Sequence, residues 1–385
     1  MVVRGFLAGQ GSGAPQAAGA AEAFAGVSQS KLSFQVGTEQ ITFRAPPSVD
    51  LNDAVLVEFA PWSPSTRISD ALATHRLEPT NGQAFTLPRF TAHATAQRDR
   101  LWSRWALWVN DVASDDARSL AACYANEFAE PAHPGRPQMR SKKGLGGFQV
   151  DRGFTSDLDD LAIATVTVNL PLAFLVDQSH PQGEAWDFLG KTYYVDRAMI
   201  AGFDATLRAA QQREVLVFGI LLVPPPGTST VGRAMAHPDY APPGIFAMPN
   251  VASYEGVHAY AAALTYLMKR YGSGDTTYGR IHHWIVHNEV DAGLMWTNAG
   301  RKSGEAFMDL YHKSLRLVHL LAQERDADAR ALISLTHSWA EPEEERFYTG
   351  RQMLDLLERR CTVESDFPWG VAYHPYPRSL FVPET

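Results

Sequence analysis

The chain has only two cysteines in 385 residues, Cys123 and Cys361, in different halves and with no ligand-like spacing. A disulfide framework and a zinc cluster are therefore both disfavoured. Positive charge is scarce as well. The formal net charge is -8, which argues against nucleic acid as a partner, because phosphate backbones are met by a basic face. No apolar run approaches the ~20 residues needed to span a membrane, so no membrane partner is expected either. The stretch from Met1 to Ala25 is rich in Ala and Gly, with one early Arg4. It lacks the continuous apolar core of ~7–15 residues that marks a secretory signal. It reads as the start of a cytoplasmic protein or as a start that is not the native one. No Gly-x-Gly-x-x-Gly and no phosphate-loop sequence opens any predicted helix, which disfavours a nucleotide-binding doubly wound sheet.

What is present is globular: 45% hydrophobic and 20% charged residues exclude a disordered or fibrous chain. The length predicts two domains. Residues 1–30 read as a flexible leader. Residues 31–140 have a β texture, with short runs at 32–36, 41–43, 54–59 and 101–109 separated by turn residues such as Pro46-Pro47 and Asn81-Gly82. That spacing predicts a small antiparallel β-sandwich, which could be carbohydrate-binding. Trp102, Trp105 and Trp108 could form a sugar-stacking strip, but a spacing of three cannot keep them on one face of a strand, so most are expected in the core.

From about residue 141 to 385 strand and helix alternate, which predicts a parallel sheet or barrel. Strands are expected at 164–170, 215–223, 283–289, 331–337 and 370–374. Helices are expected at 195–213, 254–271, 305–323 and 351–359. The run Trp284-Ile285-Val286-His287-Asn288-Glu289 stands out as an apolar strand that stops abruptly in Asn-Glu. A carboxylate at the C-terminal end of a buried strand is where a (β/α) barrel places catalytic side chains. A helix cap explains Asn288 and Glu289 as well, taken alone. The other strands carry weight here. Asn169, then His337 with Ser338 and Trp339, then His374, Tyr376 and Arg378 all fall at the same end of successive strands. A purely structural barrel needs nothing specific there.

His283 and His287 are four apart, but on a strand, so the helix-borne His-Glu-x-x-His metal geometry is not available, and no metal is expected. Strict alternation puts His287 on the face of Glu289, just below the pocket floor, where it would orient that carboxylate. For both Asn288 and Glu289 to reach the pocket, the strand must bulge or end there.

These residues resemble clan A of the glycoside hydrolases, whose (β/α)8 barrels carry Asn-Glu at the end of strand four. Asn288-Glu289 matches that pair, and Tyr373-His374-Pro375-Tyr376-Pro377 is similar to the His-x-Tyr region after strand six. Residues 142–147, 284–298 and 369–377 look more specifically like a bacterial family known mainly as a domain of unknown function. The resemblance implies a TIM-type barrel with strand one at Gly146–Val150. It also implies retaining hydrolysis of an oligo- or polysaccharide without a cofactor, with Glu289 as general acid/base and Asn288 on the sugar 2-hydroxyl. Trp296 and Trp339 would stack on sugar rings, and His374 and Tyr376 would line the floor. On that template the catalytic nucleophile follows strand seven, whereas only Glu384 follows strand six here. The expectation is a truncated barrel, completed by a missing segment or a partner chain. Two alternatives stay open. One is a carbohydrate-binding protein without activity, or an inactive fragment. The other is a different barrel enzyme, against which stand the lack of a strand-end Lys and of metal-ligand spacing. The location is left open, and the resemblance allows a secreted or periplasmic one.

Overall fold

The computed structural model describes residues 32–46, 54–77, 84–109, 118–119, 122–152 and 155–376. The leader, the Asn81-Gly82 turn, Pro377, Arg378 and Glu384 lie outside them. The first part builds two four-stranded sheets. One runs Glu127–Phe128, Ser33–Val36, Gln40–Arg44, Ala84–Pro88, antiparallel except for its first pairing. The other runs Ala73–Arg76, Ala54–Phe59, Arg104–Val109, Arg118–Ser119 and is antiparallel throughout. Their apolar faces meet where Phe43 of one packs edge-on against Trp105 of the other, ring centroids 4.6 Å apart.

The three tryptophans divide as the spacing requires. Trp102 and Trp105 are buried. Trp108 points the other way and packs on the cluster of Val57, Phe59 and Ala106. They form no common strip.

The second part contains a six-stranded parallel sheet: β1 (Gly144–Leu145), β2 (Thr165–Pro171), β3 (Leu216–Leu222), β4 (His283–Val286), β5 (Ala331–Leu335) and β6 (Trp369–Tyr373), in sequence order. Every neighbouring pair is parallel. Among the described residues β1 and β6 each have one strand neighbour, so the sheet is an open half-barrel. The helices α1 (Arg197–Gln211), α2 (Tyr254–Tyr271), α3 (Gly304–Gln323) and α4 (Gly350–Val363) follow β2, β3, β4 and β5. Each opens on a capping side chain, respectively Asp196, Ser253, Ser303 and Thr349. Such a cap satisfies one of the amide groups that a helix leaves unpaired at its start.

Both faces of the central strands are buried, which is why β3 reads as an unbroken apolar run. Val166, Val168, Leu170, Val217, Leu221, Trp284, Val286, Ile333 and Leu335 join the large core. The alternate residues Leu216, Phe218, Ile220, Leu222, Ile285, Leu332 and Ala372 form a separate inner cluster. Gly219 lies where a Cβ would come within 2.7 Å of the Leu170 side chain. No helix of the described residues is long and apolar enough to cross a membrane.

Three expectations are corrected. Strand one is Gly144–Leu145 rather than Gly146–Val150, because Gly147 turns the chain in a left-handed conformation (φ 66). The helix expected from Val195 starts at Arg197. Lys191–Asp196 is instead the last strand of a small antiparallel sheet, with Leu175–Val176 and Gly183–Phe188, inserted after β2. Its signal was the turn Leu189-Gly190, both at positive φ, as two-residue hairpin turns demand. Finally, β4 and β5 stop at Val286 and Leu335, short of the strand ends expected at 289 and 337.

Candidate active site

The early end of β4 builds the site. Ile285 faces the inside of the half-barrel and Val286 the helix layer. Alternation would turn His287 inward. Instead His287 takes a left-handed conformation (φ 64), as does Glu289 (φ 40), a backbone choice that is uncommon outside glycine and clusters at functional sites.

The expectation that His287 supports Glu289 from below is thereby overturned. Its ring lies in the helix layer, fully buried, with Nε2 2.8 Å from Ser314 Oγ of α3 and Nδ1 3.3 Å from the Leu221 carbonyl. Tyr260 and Tyr311 flank it. Burial lowers its pKa to about 3, so it is neutral at ordinary pH.

Glu289 is turned to the rim at the C-terminal ends of the strands. Its amide donates to Ser334 Oγ of β5 at 3.1 Å. Its carboxylate oxygen Oε1 lies 2.7 Å from Nδ1 of His374, which directly follows β6. The two side chains keep 14% and 22% of their exposure, so the pair is sheltered yet open to a ligand. The ring of Tyr376 lies edge-on to His374 at 5.7 Å. A carboxyl group and an imidazole at this distance can share one proton in either direction.

Two buried neighbours went unnoticed in the sequence. Asp291 is 1% exposed. Its oxygens accept the Thr336 amide at 2.9 Å and the Thr336 hydroxyl at 2.5 Å, which ties the turn after β4 to the end of β5. Its pKa is raised, first by burial, against the pull of the Thr336 hydrogen bonds, with the charge of Glu289 adding to the rise. The second is Ser334, whose inward position follows from its pairing with Ala372. A carboxylate two residues past Asn-Glu was the available signal for Asp291. Nothing in the sequence marked Ser334. Asp291→Ala is expected to destabilise the fold by about 1–3 kcal/mol, the cost of leaving buried donors without an acceptor. An unchanged denaturant midpoint would show that Thr336 needs no partner there.

The remaining candidates sit around this centre. Asn288 is partly exposed, and its carbonyl accepts the Thr297 hydroxyl at 2.9 Å. Asn169 lies on the inner face in the register row of Ile220 and Ile285, below Glu289 and without a hydrogen bond to it among the described residues. Trp296 is half-buried against Phe246 at 6.2 Å, and Phe246 in turn covers the inner cluster. His337 is partly exposed, its carbonyl held by the Tyr373 hydroxyl at 3.1 Å. Trp339 and Tyr376 are exposed, at 48% and 52%. Thus Glu289 meets His374 and His374 meets Tyr376, while among the described residues Asn169, Asn288, Trp296, His337 and Trp339 make no hydrogen bond to that carboxylate.

Residues 135–385 match the model of a family described as "Family of unknown function (DUF5722)". No curated protein matches the chain. Among solved structures, the chain is similar to a family 1 β-glucosidase from Thermotoga maritima, with 12% identity and a TM-score of 0.31 over 56% of this chain and 42% of that one. It is similar to the GH53 catalytic domain from Ignisphaera aggregans, with 11% identity and a TM-score of 0.38 over 63% and 62%. It is also similar to the β-glucuronidase of Bacteroides uniformis, with 10% identity and a TM-score of 0.27 over 88% and 39%. The chain therefore spans less than two thirds of each of these structures.

Proposed function

The chain belongs to this family of unknown function, and from that premise we propose that it is a glycoside-hydrolase-type protein acting on O-glycosidic bonds of an oligo- or polysaccharide. Its half-barrel corresponds in this reading to the first six strands of a (β/α)8 barrel, preceded by a β-sandwich domain over about residues 31–140. The observation that carries the reading is the pairing of Glu289 with His374 across the strand ends. Glu289 is the general acid/base. It protonates the leaving oxygen as the glycosidic bond breaks, and later takes a proton from water, with His374 steadying the carboxyl group through both steps. Asn288 binds the sugar 2-hydroxyl, while Asn169, Trp296, His337, Trp339 and Tyr376 contribute walls and stacking surfaces.

A retaining mechanism needs a second carboxylate about 5–5.5 Å from the first. Asp291 does not serve, because both its oxygens are taken by Thr336. The nucleophile is assigned outside the described residues. Trapping with a mechanism-based fluorosugar is accordingly expected to label a carboxylate outside the described residues. Labelling of Asp291 would overturn the assignment of the nucleophile.

A binding function without turnover is the second reading, favoured by the exposed indole of Trp339 and ring of Tyr376. Trp339→Ala separates the two. In an enzyme it should raise KM with kcat nearly unchanged, since stacking is uniform across ground and transition states. Saturable glycan binding without any hydrolysis would leave only the binding reading.

A further inference from the structure

A cavity of about 280 Å³ opens at the opposite end of the sheet from Glu289. It lies beneath the start of β4. Its walls include Arg136 with Pro134 and Gly135, Gln211 at the end of α1, Thr276, Arg280 and His282. Neither the sugar site nor the core uses this space.

Its hydrogen-bonding balance is one-sided. His282 is buried, and its Nδ1 faces the Val217 amide at 3.0 Å. An amide is a donor, so Nδ1 must be the bare, accepting nitrogen. A neutral imidazole has one N–H, so the proton sits on Nε2. The next residue repeats the pattern. His283 Nδ1 faces the Arg330 amide at 3.1 Å, which places its proton on Nε2 as well, yet that Nε2 lies 3.3 Å from Nη1 of Arg136. Two donors thus point at one another. Both histidines are neutral, each held at a pKa of about 3, first by burial and then by the arginines around them.

The charges lean the same way. Arg280 is 5% exposed. It is bound to Asp326 at 2.7 Å and to the Gly135 and Pro134 carbonyls at 2.6 and 3.3 Å, and its Nε, itself buried, has no hydrogen-bond partner. The carboxylate among the lining residues, Glu214, is engaged by Arg140. Arg136, exposed at the cavity mouth, has no ion-pair partner among the described residues. The cavity therefore offers the Arg136 guanidinium and the His282 Nε2–H as donors without an acceptor among the described residues. A buried donor without an acceptor is costly, and an oxyanion supplies several acceptors together with the missing charge.

We propose that this cavity binds a tetrahedral oxyanion of the phosphate type, free or as a phosphate monoester, through Arg136 and the Nε2–H of His282, with the buried Arg280 beside them adding positive charge. The site stands apart from the sugar-binding reading and does not depend on it.

Calorimetric titration of the full chain with inorganic phosphate, sulfate, glycerol phosphate and chloride at matched ionic strength tests the proposal. Saturable one-to-one binding of the oxyanions, and none of chloride, is expected. Tighter binding of glycerol phosphate would identify a monoester site, and equal binding a free-anion site. Arg136→Gln, a change at an exposed position that leaves the fold intact, should weaken binding by about tenfold or more, the loss of one charge-assisted contact. Arg351→Gln, remote and exposed, should change nothing. Absence of saturable binding, or binding unaltered in Arg136→Gln, overturns the proposal.

Discussion

Glu289→Gln is expected to lower the hydrolysis of glycosides with poor leaving groups by roughly 10²–10⁴, the usual contribution of a positioned general acid. The amide keeps the volume and a hydrogen bond to His374, which lies 2.7 Å from Oε1 in the native pair. It cannot deliver a proton. The loss should shrink steeply for aryl glycosides whose phenol leaves readily as an anion, because those need no protonation. A uniform loss across leaving groups would point to binding or folding instead, and an unchanged rate would remove Glu289 from the mechanism. The measurement also separates the general acid from His374, whose replacement would disturb the position of the carboxyl group without removing it.

The largest effect on stability is expected far from that site. Glu58 is fully buried on the strand Ala54–Phe59. It accepts hydrogen bonds from Arg98, from Ser103 at 2.8 Å and from Arg100 at 3.2 Å. Burial alone would push its pKa up, but hydrogen bonds from His75, Arg98 and Ser103 and the Arg98 charge outweigh it and bring the value down to about 2. Because the folded value is depressed, the ionised carboxylate stabilises the protein above the ordinary value of 4.5, and this contribution fades as pH falls toward about 2. A gap of that size corresponds to about 3 kcal/mol. Glu58→Gln should destabilise the protein by about 3–5 kcal/mol at neutral pH, since Arg98 is left buried without its counter-charge. The variant should also lose much of the acid sensitivity between pH 4.5 and about 2. Urea melts of both proteins at pH 7 and pH 3 would show it, and a penalty that does not depend on pH would sink the charge argument.

The polar ends of the strands were legible in the sequence because a strand covered on both faces has a continuous apolar pattern. An Asn, His or Glu closing it is then conspicuous. That Glu289 and His374 share one end of the sheet was legible from the strand ends, but their direct hydrogen bond was not, because the two are 85 positions apart and meet only when β4, β5 and β6 lie side by side. Nor was the outward turn of His287. Alternation placed it inside, and it goes to Ser314 because the chain takes a left-handed conformation at a residue where no glycine announces it. Trp296 and Trp339 looked alike as candidates, yet one leans on Phe246 and the other is exposed. The difference lies in loop geometry, which periodicity does not encode.

Local pattern alone settled the broad alternation of strand and helix after about residue 141 and the parallel pairing it demands. Each depends on neighbours within a few residues. Tertiary structure decided where β4 stops, which carboxylates are held by Thr336 or His374, and which histidine nitrogens carry protons at the cavity beneath the sheet. Those outcomes depend on groups brought together from distant parts of the chain. Burial then determines whether a hydrogen-bonding partner is required at all.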